Sequence, residues 1–165
     1  MYQLFLIFIL CSSQLLGQIN RKEVELIQSY KSNLVQKDLE GTIQSLKALI
    51  ALKNGKSQYQ ISLGYIYQLQ GKNELANAHL GKGRAFVLQQ LETKALNPKQ
   101  TIDHIVALCF AGFEKDCLKA YNHSASLLQS DAYYSDYDFV AIQQLANQQR
   151  QILQSYFAPS ANKKR

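Results

Sequence analysis

Cys109 and Cys117 are the residues of this 165-residue chain whose type and spacing come nearest to chemistry. They flank Gly112-Phe113-Glu114, a turn sequence, and in two antiparallel helices joined by that turn they would lie face to face. Two thiols so placed could form a metal-ligand pair, or a nucleophile with its partner. In an exported chain they could form a disulfide; otherwise they are two small core residues where helices touch. The facing geometry favours the last two readings. His79, His104 and His123 are scattered, without the four-residue helical spacing or the clustered Cys and carboxylates of a metal centre, so each is read as a surface or partly buried helix residue. Gly55-Lys56-Ser57 has the end of a phosphate-binding loop, but Ile50 stands where that loop needs its first glycine, and a helix-breaking turn explains the sequence. Gly81-Lys82-Gly83-Arg84 falls inside a helical pattern, where its glycines serve close helix packing. Asn122-His123-Ser124 matches a glycosylation sequon, also within a helical pattern, and chance accounts for it. No cofactor, metal or catalytic constellation is expected.

The elements that would carry these residues follow from hydrophobic spacing. Apolar residues recur three and four apart, and clean two-residue alternation is hard to find, so the chain is all-α. Breaks fall at Lys37-Asp38, Lys53 to Lys56, Gly71 to Asn73, Lys94 to Pro98, Gly112, and Ser130 to Asp136, and they delimit about seven helices. Asn97-Pro98-Lys99-Gln100 carries a cap acceptor, a proline at the first helical position and a glutamine able to reach back. Ser135-Asp136-Tyr137-Asp138 has the same form ahead of Phe139. Short turns make neighbouring helices antiparallel pairs.

Before the first helix, Leu4 to Leu10 is an unbroken apolar run followed by Cys-Ser-Ser-Gln-Leu-Leu-Gly-Gln. A bilayer-spanning helix needs about 20 apolar residues. This run is shorter and resembles the core of a signal peptide, with cleavage expected after Gly17, although its start carries no Lys or Arg. The alternative is an N-terminal buried helix. Cys11 raises the question of lipidation, against which Leu10 stands where a lipobox has a small residue. The expected organisation is a signal peptide over 1–17, a helical domain over 18–157 and a basic disordered tail over 158–165, with no stable transmembrane anchor. The protein is then exported, periplasmic or secreted.

Within the helical domain, Leu63-Gly64, Tyr67, Gly71, Ala76 and Leu80 follow the spacing Leu-Gly-x-x-Tyr and Ala-x-x-x-Leu. This stretch resembles the tetratricopeptide repeat. Gly64 and Ala76 are small where two helices would cross, and Gly83 extends that stripe. Gln60 stands where the family usually has Trp, and Leu88 replaces its closing Pro, so the second helix is expected to run on. Moving back 34 residues sets Thr42 on Ala76 and Leu46 on Leu80. The preceding helix, with Ile27, Tyr30 and Leu34, fits if its turn is one residue shorter. Gly112, Cys117 and Tyr121 repeat the spacing of Gly71, Ala76 and Leu80 in a third unit, after an offset of seven extra residues around Leu96 to Lys99. The segment from Ser135 to Tyr156, with Phe139, Ile142, Leu145, Ile152, Leu153 and Tyr156 on one broken face, suits a C-terminal capping helix. A plain helical bundle is the alternative.

The resemblance implies an α-α superhelix of about three hairpins and a function in protein–protein interaction. The first helix of each hairpin would line a concave groove bearing Gln58, Ile61, Tyr65, Gln68, Asp103 and Phe110, which takes an extended or helical segment of a protein or peptide partner. The net charge of +6 is dispersed except at Lys163-Lys164-Arg165, with no basic patch interleaved with aromatics, so nucleic acid is not an expected partner. Tyr133, Tyr134 and Tyr137 among Asp131, Asp136 and Asp138 read as a capped helix start packed on the preceding hairpin, with a binding loop as the alternative. Two other function classes stand beside the interaction module: a small helical enzyme assembled from distant residues, and a self-assembling envelope component.

Overall fold

A computed structural model describes residues 21–52 and 57–157. The signal-peptide segment, Cys11, the break at 53–56 and the basic tail lie outside these residues. Seven helices and no strand are present among the described residues: α1 (Arg21–Val35), α2 (Leu39–Ala51), α3 (Ser57–Leu69), α4 (Asn73–Thr93), α5 (Pro98–Phe110), α6 (Glu114–Gln129) and α7 (Phe139–Phe157). The chain is all-α, as its spacing indicates. None of these helices is long and apolar enough to cross a membrane.

Local chemistry sets most of the boundaries. The Asp38 carboxylate accepts from the Gly41 amide at 3.0 Å and caps α2. Asn97 and Gln100 form the expected reciprocal capping box at the start of α5, with Pro98 next to the cap. At α7 the expected start is displaced. Asp138, not Ser135, takes the capping role, accepting from the Ala141 amide at 2.7 Å, while the Ser135 hydroxyl turns back to the Ala132 carbonyl.

Three of the connections share one geometry. The amides of Asp38, Lys72 and Phe113 each reach back five residues, to the carbonyls of Asn33, Tyr67 and Leu108, at 2.8, 3.0 and 3.0 Å. The residue before each has positive φ: Lys37 at 57°, Gly71 at 71° and Gly112 at 82°. This is the Schellman turn, which satisfies the last carbonyls of one helix and reverses the chain into the next. Thr42, Ala76 and Cys117 sit in the same place after it, and all three are buried. Lys37 and Gly71 are 34 residues apart, so the first turn is not shortened. The extra residues of the third unit are not in the loop near Leu96 either. They are absorbed as helix, because α4 continues past Leu88 to Thr93.

Lys37 occupies a left-handed position where the other two turns have glycine, and an L side chain there costs about 1–2 kcal/mol. Lys37→Gly should therefore raise the unfolding free energy by about 1 kcal/mol, and Gly71→Ala should lower it by a similar amount. Urea titrations of both variants give the two signs independently.

The turns pair α1 with α2, α3 with α4 and α5 with α6, and the hairpins meet where α2 packs on α3 and α4 on α5. Between α3 and α4 the backbones approach closely. A Cβ on Gly64 would stand 2.8 Å from Leu80 Cγ and 2.9 Å from its amide nitrogen, and one on Gly83 would stand 2.5 Å from Ile61 Cγ1. Polar contacts pin the layers: Asn33 Nδ2 donates to Ser45 Oγ at 3.1 Å, and Arg84 grips both carboxylate oxygens of Asp116 while lying over the Phe113 ring. Helix α5 is the hub, buried nearly all round by α4, α6 and α7.

Tyr30 and Tyr59 belong to this core. Burial pushes the Tyr59 phenol up to about 12 and the Tyr30 phenol higher still, although a hydrogen bond with Ser62 partly opposes the latter. An unfolded chain ionises these groups from 10.0 upward, so their contribution to stability is intact below pH 10 and is lost as the pH rises through about 12. Stability should fall progressively across that window, and urea midpoints tracked with tyrosinate absorbance check it. Ionisation without loss of stability would show the phenols to be accessible.

Candidate functional site

The face that the sequence assigns to a partner lies on α3 and α5, and α7 runs across it. Helix α7 packs along α5 and reaches α3. Its buried side chains are Ile142, Ala146, Leu153 and Phe157, which fall on one stripe at helical spacing. At its start the Phe139 ring meets Tyr121 of α6, with centroids 5.6 Å apart. Near its end the Tyr156 ring lies under the Lys37 ammonium, in the turn between α1 and α2. One helix thus touches all three hairpins.

The centre of this crossing is polar. Arg150 Nε donates to the Phe110 carbonyl at 2.8 Å, Nη2 donates to the Cys109 carbonyl, and Nη1 donates to Asn147 Oδ1 at 3.2 Å. These carbonyls are among the last of α5, the end of a helix that carries partial negative charge and lacks intrahelical donors; that of Cys109 also accepts from the Gly112 amide at 3.0 Å. The Phe110 ring packs on Tyr65 of α3, with centroids 4.8 Å apart and planes at 54°. Burial pushes the Tyr65 phenol up, while the Arg150 charge and a hydrogen bond from Gln154 pull it down.

Just behind Arg150 is the cysteine pair. Cys109 and Cys117 are joined in a disulfide that ties α5 to α6, with Cα atoms 5.3 Å apart. Both residues are buried. The bond fastens the same stretch of backbone whose carbonyls Arg150 uses.

The six residues expected to line an open groove are not presented together to a partner. Ile61 is 2% exposed and points into its own hairpin against Gly83, because the α3–α4 crossing leaves no other room. Tyr65 and Phe110, 6% and 5% exposed, bridge α3 to α5 and meet α7. Asp103, 6% exposed, lies two turns earlier on α5, paired with Lys99 at 3.6 Å; the Tyr134 phenol is pushed up by burial and then by the Asp103 charge. Gln58 is half-buried and Gln68 exposed. The open groove is therefore corrected to a face already covered by α7. Sequence reasoning missed Arg150 and Gln154, and no spacing signal marks them as inward.

In the loop before α7, Asp131 accepts from the amides of Tyr133 and Tyr134, and the rings of Tyr133, Tyr134 and Tyr137 touch one another. Tyr134 and Tyr137 pack against the core and Tyr133 is exposed, so the loop is a packed helix lead-in. Tyr137 is pushed up by its burial and then by Tyr133. His79 Nδ1 lies 2.7 Å from Gln60 Oε1 beside the Tyr67 ring, and His104 Nδ1 donates to the Gln100 carbonyl at 2.8 Å. Burial lowers both imidazoles below their ordinary value. Among the described residues no group of His, Cys, Asp and Glu could hold a metal ion.

Compared with protein-family models, curated proteins and solved structures, the chain matches none. Its own geometry is what carries a functional reading.

Proposed function

We propose that the protein is an exported module for protein–protein interaction, a tetratricopeptide-like helical repeat without catalysis, which holds a helix or peptide of a partner protein on the α3–α5 face. The observation that carries this reading is the seating of α7: that face accommodates a helix across all three hairpins, with apolar contacts at Tyr65 and Phe110 and acceptors at the end of α5. The recurrence of one turn at Lys37, Gly71 and Gly112 supports a repeat architecture. Export is supported by the apolar run Leu4 to Leu10, and a buried Cys109–Cys117 disulfide suits an oxidising compartment.

Photo-crosslinking separates this reading from a surface with no partner. A photoreactive residue at exposed Gln68 should capture a reproducible partner from the native envelope, while the same group at exposed Lys82, on the far helix of that hairpin, should not. Equal labelling from both positions, or none from Gln68, counts against it. The mass of the protein recovered from that envelope should also correspond to a chain that starts at Gln18.

A further inference from the structure

Helices α1 to α6 each have a hairpin partner joined by the same tight turn, and α7 has none. It is attached through the segment 130–138, in which Ala132, Tyr133, Ser135 and Asp136 are exposed, and it covers a face made by other helices. Its seat has two requirements that can be read from the contacts. One is an apolar stripe at the spacing of Ile142, Ala146, Leu153 and Phe157. The other is a guanidinium facing the Cys109 and Phe110 carbonyls; the Cys109 carbonyl also accepts from the Gly112 amide at 3.0 Å, while that of Phe110, at the helix end, has no donor within α5. The opposite side of α7 carries exposed Gln144, Asn147, Gln148, Gln151 and Ser155.

We infer that α7 is a tethered occupant of a helix-binding face, and that the partner helix this face takes is amphipathic and carries an arginine at the place of Arg150. The inference rests on the interaction-module reading and names its ligand chemistry. A partner helix replaces α7 by reproducing the stripe and the guanidinium contact. The disulfide at Cys109 holds the acceptor carbonyls in place while α7 is absent. The tether keeps α7 at an effective concentration in the millimolar range, so the exchange is held in check until a strong competitor arrives.

Cutting the tether tests this in the full chain. A site-specific protease sequence placed between Ser135 and Asp136 allows α7 to be severed with the disulfide intact, and the probe is a fluorescent peptide of residues 138–157. The severed protein should exchange its own α7 for the probe, seen as a mass change and a rise in anisotropy, with helical circular dichroism retained. The uncut chain should need about 100-fold more probe or greater for the same uptake. A probe carrying Arg150→Glu, which sets a carboxylate against two carbonyl oxygens, should fail to exchange. Retention of the original α7 against excess probe, or collapse of helicity as α7 leaves, would make it an integral core helix and overturn the inference; equal exchange of the Arg150→Glu probe would overturn the guanidinium requirement. None of these results touches crosslinking from Gln68, so failure here is distinguishable from failure of the interaction reading.

Discussion

Gly81→Ala should stabilise the protein and Gly83→Ala should destabilise it, although the two positions lie in the same helix two residues apart. At Gly81 an added Cβ meets nothing within 4 Å, so the change removes the entropic cost of a glycine in a helix and contributes about 0.5–1 kcal/mol. At Gly83 the same methyl would stand 2.5 Å from Ile61 Cγ1 and 3.2 Å from both the Ile61 amide nitrogen and the Ser57 carbonyl. Two of those atoms belong to the backbone and cannot rotate away, and Ile61 is itself enclosed. Overpacking of this kind costs about 1–3 kcal/mol and exceeds the gain in propensity. Gly64→Ala has the same fate, since its methyl would meet Leu80 Cγ and the Leu80 amide nitrogen at 2.8 and 2.9 Å. Urea denaturation of the three variants should give midpoints above wild type for Gly81→Ala and below it for the other two, with unchanged slopes. A stabilised Gly83→Ala would mean that α3 and α4 do not cross where described.

Replacing both Cys109 and Cys117 by Ala should lower the unfolding free energy by about 2–3 kcal/mol, the chain-entropy value for closing a short loop. The cost concentrates at one end of the hub helix, because the disulfide bonds the α5–α6 hairpin beside the carbonyls that hold Arg150. Loosening that end should weaken α7 first. Proteolysis within 130–138 should therefore accelerate in the double variant before global unfolding sets in. The oxidised state is checked directly by mass. Alkylation of the unreduced protein under denaturing conditions should add no label at Cys109 or Cys117, and reduction before alkylation should add two; two labelled thiols without reductant would contradict the bond.

Much of the fold was legible because it is local. The Asn97 capping box, the breaks at Gly71 and Gly112 and the run-on of α4 past Leu88 each depend on a few neighbouring residues and their backbone hydrogen bonds. The small stripe of Gly64, Ala76 and Gly83 was legible for a related reason. Small side chains at helical spacing mark a place where something comes close, and the short turn at Gly71 supplies the helix that does. Even here local signals misplaced detail. Ser135 and Asp138 both offer a capping oxygen, and only the position of the Tyr134 and Tyr137 rings against the core favours the later start.

The sequence by itself determined that the chain is helical, where its helices turn, and that Cys109 and Cys117 face each other. Tertiary structure alone decided the destination of α7. A broken apolar face on Phe139 to Tyr156 states that one side of the helix must be buried, but not against which surface, because the free energy of burial is proportional to area and indifferent to direction. The choice was made by long-range matches that no spacing reveals: Arg150 with the carbonyls of Cys109 and Phe110, Gln154 with Tyr65, and Tyr156 with Lys37. Those matches turn a capping helix into the cover of the α3–α5 face, and with it they close the groove that the repeat pattern had left open.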